Sequence, residues 1–143
     1  MRSSIQASRH YVVLDIGEEI MASVTTYAEL HHITAASIAG IGAVTNVTLR
    51  YFEVAKKRYV DKKFEEEYEL LSLVGNVSLL HDKPHVHIHV SLGDKNFDML
   101  GGHLCAATIS VTCELVIDTS PIRLDRTMDE KTGLHVWSCN SSQ

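Results

Sequence analysis

The stretch His85-Val86-His87-Ile88-His89-Val90-Ser91-Leu92 alternates without a break between a polar residue and a branched apolar one. Successive side chains of a strand point to opposite faces, so Val86, Ile88, Val90 and Leu92 share one face and His85, His87, His89 and Ser91 share the other. The apolar face belongs against a core and the polar face away from it, which makes this a half-buried strand of a sheet. Neighbours on one face lie about 6.5 to 7 Å apart at Cα, so two imidazoles can converge on one ion while a third ligand arrives from elsewhere. His103, in Gly101-Gly102-His103-Leu104, is the third side chain. Its two glycines let backbones approach closely, and the interval from His89 is long enough for a strand end, a loop and a return.

Working outward, residues 68–80 (YELLSLVGNVSLL) read as the preceding strand, with a bulge or bend at Gly75-Asn76, and residues 81–84 as the turn between the two. A loop over residues 93–102 leads to a further strand at about 106–118. Upstream, residues 11–16 (YVVLDI) form a first strand that Gly17 breaks. Glu18 and Glu19 precede Ile20, Val24, Tyr27, Ala28 and His31, whose spacing of three and four predicts the one long helix, with acids at its N-terminus. Gly40 and Gly42 mark a turn before a strand over residues 43–52. The polar run over residues 56–63 (KKRYVDKK) reads as an exposed hairpin connection. In the tail, one helical turn is expected at residues 127–131 and a short strand at 134–137.

The 143 residues have the length of one domain, taken as residues 1–143 with a core over 11–118. With 45% hydrophobic and 22% charged residues, the chain has neither a disordered nor a fibrous composition. Its formal charge of -5 is the reverse of the basic balance common in nucleic-acid binders, so any DNA contact must be local. Cys105, Cys113 and Cys139 are odd in number and contain no Cys-x-x-Cys pair, which fits a reducing compartment. No run approaches the ~18 apolar residues of a membrane span, and the first residues carry no apolar stretch of signal-peptide length. A cytoplasmic protein with no membrane partner is expected.

Three neutral imidazoles with an open position suit Zn²⁺ or a similar divalent first-row metal, the arrangement of catalytic zinc sites. A solvent-facing or hydrogen-bonded row of histidines fits the same spacing. Arg50 and Glu114 are charges within apolar strands, and each fits either a pocket role, as substrate clamp or general base, or a structural ion pair. Lys56, Lys57 and Arg58, with Lys62 and Lys63, form the only basic cluster. They either contact phosphates or form a solvated tip neutralised by the glutamates that follow. Cys105 and Cys113 read as small buried hydrophobes. His10, His31, His32 and His135 show no spacing that groups them.

Gly-x-Gly-Ala-Val at residues 40–44, Val-Thr-Leu-Arg at 47–50, Leu-Ser-Leu-x-Gly-Asn at 71–76, Pro-His-x-His-x-His-Val-Ser-Leu at 84–92 and Gly-Gly-His-Leu at 101–104 together resemble the PPC (plants and prokaryotes conserved) domain. The resemblance implies a single α+β domain with a curved, mostly antiparallel sheet and one main helix. It further implies a homotrimer, a fold related to acetolactate decarboxylase, and a metal on His87, His89 and His103, with His85 as substitute if the register is shifted. Members of the family are commonly labelled DNA-binding, but the plant proteins bind through an Arg-Gly-Arg-Pro hook that these residues lack. The chain departs from the pattern at Asn96-Phe97, where similar proteins often place a glycine; Asn96 is expected to take the left-handed turn. Three readings stay open: a metal-holding module with DNA or another partner, a metal-dependent enzyme acting on a small carbonyl or carboxylate compound, and a histidine cluster that stabilises a subunit interface.

Overall fold

β-Branched and small residues run through two long segments of the chain, and both form single strands of unusual length. The computed structural model describes residues 1–139. Its elements are β1 (Arg2–Gln6), β2 (Arg9–Leu14), α1 (Ile20–Leu30), β3 (Ala36–Glu53), β4 (Arg58–Phe64), β5 (Tyr68–Leu80), β6 (Lys83–Gly93), β7 (Met99–Thr119), β8 (Arg126–Asp129) and β9 (Leu134–Trp137). The order in the main sheet is β1-β2-β7-β6-β5-β3-β4, every pairing is antiparallel, and β3 also pairs with β7. That last pairing closes β3, β5, β6 and β7 into a ring, which removes four strands from the edge-exposure problem of an open sheet. The chain is therefore an α+β domain of curved antiparallel sheet with one helix.

Inward-facing residues of the ring form the core: Val44 and Val47 from β3, Leu70, Leu73 and Val77 from β5, Ile88 and Leu92 from β6, and Leu104, Ile109 and Leu115 from β7 are all buried. α1 packs its stripe of Ile20, Val24, Tyr27 and Ala28 against β6 and β7. Glu19 caps the helix: its carboxylate accepts from the backbone N–H of Met21 (3.1 Å) and Ala22 (2.7 Å) and, at 3.1 Å, from Ala107 of β7. One side chain thus starts the helix and ties it to the sheet. Glu18 instead accepts from the backbone N–H of Asp15 at 2.7 Å.

Several local expectations are corrected. Gly40 and Gly42 do not turn the chain; they lie inside β3, where a Cβ would meet the β7 backbone, and the register shifts between them. Gly75-Asn76 keeps its register, and the bulge in β5 falls between Leu70 and Ser72. The hairpin connection is confined to a 3-10 turn at Val54–Lys56 with Lys57 in the left-handed region (φ 46°), so Lys62 and Lys63 belong to the edge strand β4. Lys83 and Pro84 already pair with β5, which leaves His81 and Asp82, both at positive φ, as the turn. The next loop shortens to residues 94–98, where Asp94 accepts from the backbone N–H of Asn96 and Asp98. Phe97, not Asn96, takes the left-handed conformation there (φ 66°), with its ring in solvent. The helical turn expected at residues 127–131 is the strand β8 and its hairpin turn. β1 had no counterpart in the expectations. Residues 140–143 of the assigned domain lie outside the described residues. No helix among the described residues is long and apolar enough to cross a membrane.

Candidate metal centre

Pairing of β6 with β7 sets His89 directly opposite His103, and the strand period sets His87 beside His89 on the same face. The three imidazoles each offer a nitrogen, and these nitrogens all lie within 4.8 Å of one another. Nε2 of His87 and Nε2 of His89 are 3.2 Å apart. Two nitrogens on one tetrahedral ion at 2.0 to 2.1 Å sit about 3.3 Å apart, so His87 and His89 are spaced as a shared ion requires. His85 lines the same cavity but stands outside the triad, so no shift of register is needed.

The electrostatics keep His87 and His103 in their ligating form. Burial, reinforced by the neighbouring charge of His103 and Arg126, pushes the His87 pKa down to about 4. Burial also lowers His103, with His89 and Arg50 adding to the effect, and it lowers His85 beside Arg126. At neutral pH these rings are uncharged and present a lone pair, which is what a metal needs.

The cavity around the cluster has a volume of about 560 Å³. One wall is Phe52 of β3 and Tyr59 of β4, and the opposite wall is the β8–β9 hairpin with Met128, Leu134, His135 and Val136. Arg50 sits on the rung opposite His103, but its guanidinium is committed to Asp61 (Nε–Oδ1 2.7 Å, Nη2–Oδ2 2.8 Å) and lies 4.9 Å from the centre of the Tyr59 ring. The salt bridge holds the Asp61 carboxyl below its usual range. Glu114 is far along β7 on the exposed outer face, between Val13 and Ile41, and does not reach the histidines. Of the basic cluster, Lys56 and Arg58 both pair with Glu53, at 3.2 and 2.8 Å. Cys105 is half-buried, Cys113 buried and Cys139 exposed, and none joins the cluster.

Two groupings escape the sequence. His10 is buried with Nδ1 at 3.0 Å from the Tyr27 hydroxyl, and the His31 ring completes that cluster under α1. Arg126 and His135 reach the cavity from β8 and β9. The available signal for the second was the turn chemistry of Asp129-Glu130-Lys131-Thr132-Gly133: the Asp129 carboxylate accepts from the Lys131 and Thr132 N–H groups and the Thr132 hydroxyl, and Gly133 sits at φ 76°.

Residues 1–121 match the model of the Plants and Prokaryotes Conserved (PCC) domain. Among solved structures, a candidate DNA-binding protein from Bacteroides thetaiotaomicron superposes with a TM-score of 0.93 at 29% identity, covering 96% of each chain. A metal-containing protein from Archaeoglobus fulgidus is 36% identical with a TM-score of 0.84, over 95% of this chain and 96% of that one. Alpha-acetolactate decarboxylase from Bacillus subtilis shares the fold alone, at 15% identity and a TM-score of 0.56 over 77% of this chain and 51% of the enzyme. No curated protein matches the chain in sequence. The family model covers residues 1–121, which hold the closed ring and the histidine strand, and the chain belongs to the PCC domain family.

Proposed function

We propose that this chain is a cytoplasmic, homotrimeric PCC module that holds one divalent first-row ion, zinc by preference, on His87, His89 and His103. The carrying observation is the convergence of three imidazole nitrogens within 4.8 Å on adjacent strands. Three protein ligands leave a coordination position facing the cavity, and an ion held this way supplies Lewis acidity there. That the A. fulgidus structure is of a metal-containing protein supports the reading. Self-association is supported by the outer face of the ring, where Ile41, Val74 and Val111 are 58%, 60% and 62% exposed beside Tyr11, Leu71 and Val116. An apolar surface of that extent is typical of a subunit contact.

Elemental analysis of protein prepared without added metal or a histidine tag tests the site. About one ion per chain is expected, lost in both His87→Ala and His103→Ala. No ion after zinc is supplied would end the metal reading.

DNA contact is the role that the name of the B. thetaiotaomicron protein suggests, yet here Glu53 already engages Lys56 and Arg58. Steeply salt-dependent DNA retardation that is lost when Lys56, Lys57 and Arg58 are replaced would restore that role. The enzyme reading, with a small carbonyl or carboxylate substrate, is favoured by the size and partly aromatic walls of the cavity, which suit a small molecule.

A further inference from the structure

We infer that Arg126 is the anion-holding residue of the histidine cavity, so that the occupant it shares with the metal is a small organic oxyanion with an apolar body. This rests on the metal reading above. Arg126 reaches the cavity from β8, just past the residues that match the family model.

Its guanidinium is held in place by three neutral acceptors. Nε donates to the buried Ser78 hydroxyl (2.7 Å), Nη1 to the His135 carbonyl (2.8 Å) and Nη2 to the Asn76 side-chain oxygen (3.0 Å). A guanidinium has five N–H groups, so one on each Nη is left over. Among the described residues no carboxylate pairs with Arg126. Every other arginine has one: Arg2 with Asp15, Arg9 with Asp118, Arg50 with Asp61, Arg58 with Glu53, and Arg123 with both Asp82 and Asp125. Among the described residues Arg126 is thus the arginine without a carboxylate, and it is half-buried beside His85 and His87.

The charge in the cavity does not balance without a ligand. Asp61 offsets Arg50, whereas a divalent ion on neutral imidazoles and the Arg126 cation both remain uncompensated in a partly desolvated space, where bare charge is costly. An oxyanion between the two offsets both: one oxygen takes the open coordination position and another accepts from the spare N–H groups. Phe52, Tyr59, Met128, Leu134 and Val136 provide apolar surface for the rest of the molecule.

Cobalt(II) in place of zinc reports on the site through its visible absorption, and the probes are propionate, its neutral isostere propionamide, and inorganic phosphate. In the wild type, propionate shifts the cobalt spectrum and propionamide does not. In Arg126→Gln, cobalt still binds at about one per chain, while propionate affinity falls at least about tenfold, as expected for loss of a charge-assisted hydrogen bond. Arg126→Lys, which keeps the charge but not the fork, falls between the two. Phosphate binding tighter than propionate, with the same dependence on Arg126, identifies a phosphorylated compound as the occupant; the reverse order identifies a carboxylate. Equal propionate affinity in wild type and Arg126→Gln overturns the inference and leaves the metal reading standing. If Arg126→Gln does not fold, propionamide binding wild type as well as propionate does overturns it equally. Failure of cobalt to bind the wild type overturns the metal reading and this inference with it.

Discussion

Gly101→Ala and Gly102→Ala, one residue apart beside His103, separate a backbone role from mere sequence proximity to the metal site. A Cβ on Gly101 would stand 2.4 Å from the Val90 carbonyl oxygen, whereas one on Gly102 would have its nearest neighbour at 3.6 Å, an ordinary contact. To accept Gly101→Ala, β6 and β7 must part by about 1 Å, because carbon contacts have their minimum near 3.5 Å or beyond. The parting occurs close to the rung that pairs His89 with His103. Metal–nitrogen distances tolerate only about 0.2 Å, so one ligand is pulled out of reach. Overpacking of this kind costs about 1 to 3 kcal/mol. For a domain of this size that lowers Tm by about 3 to 10 °C, and zinc affinity drops at least about tenfold. Thermal melts of the metal-free protein, followed by competition of zinc with a chromogenic chelator, read both quantities. Gly102→Ala is expected to melt and bind zinc close to wild type. Equal damage from the two substitutions, or a Gly101→Ala protein that melts with the wild type, refutes the steric reasoning.

Acid should destabilise the metal-free protein over a defined window. His10, His85, His87 and His103 all have pKa values lowered by burial, so the unfolded chain takes up protons first; the stability they support is present above pH 6.5 and is lost as pH falls through their folded values, about 4 for His87. Urea midpoints at pH 7, 5.5 and 4.5 should fall in that order, and His87→Gln should flatten the lower part of the decline; a midpoint unchanged between pH 7 and 4.5 counts against it. On the outer face, Val111→Glu should convert the proposed trimer to monomer in sedimentation velocity while metal content per chain is retained, since Val111 is exposed and lines no part of the histidine cavity; a wild type that sediments as a monomer would dispose of the assembly reading.

The alternation in residues 85–92 was enough to place the histidines, because a strand with one apolar face has one register and a slip of one residue would bury the imidazoles. The helix was equally legible, since Ile20, Val24, Tyr27 and Ala28 have one spacing and one buried face. Glycines misled where they serve tertiary contact: Gly40, Gly42 and Gly75 look like breaks along the chain, yet each admits a neighbouring strand where a side chain would collide. Arg50 lines the cavity, but its carboxylate partner comes from β4, across a pairing that no local pattern announces. Glu114 carried the same signature, an acid amid apolar residues, because a two-sided strand alternates whether its outer face meets water or another subunit. The β8–β9 wall was hardest to read, since two four-residue strands give too little alternation to distinguish from a loop.

The closed ring also imposes an order on folding. β5, β6 and β7 form an up-and-down meander in which Asn76 pairs with His87 and His89 with His103, all close in sequence, so the three imidazoles can meet through local hairpins alone. Ring closure instead brings Ala36 to Thr119, and Arg9 must find Asp118 across most of the chain. Loop-closure entropy makes such distant pairings the slow ones. Contact order thus favours the three imidazoles meeting before the ring shuts, and on the metal reading an ion captured by the nascent meander would act as a nucleus on which β2 and β3 condense.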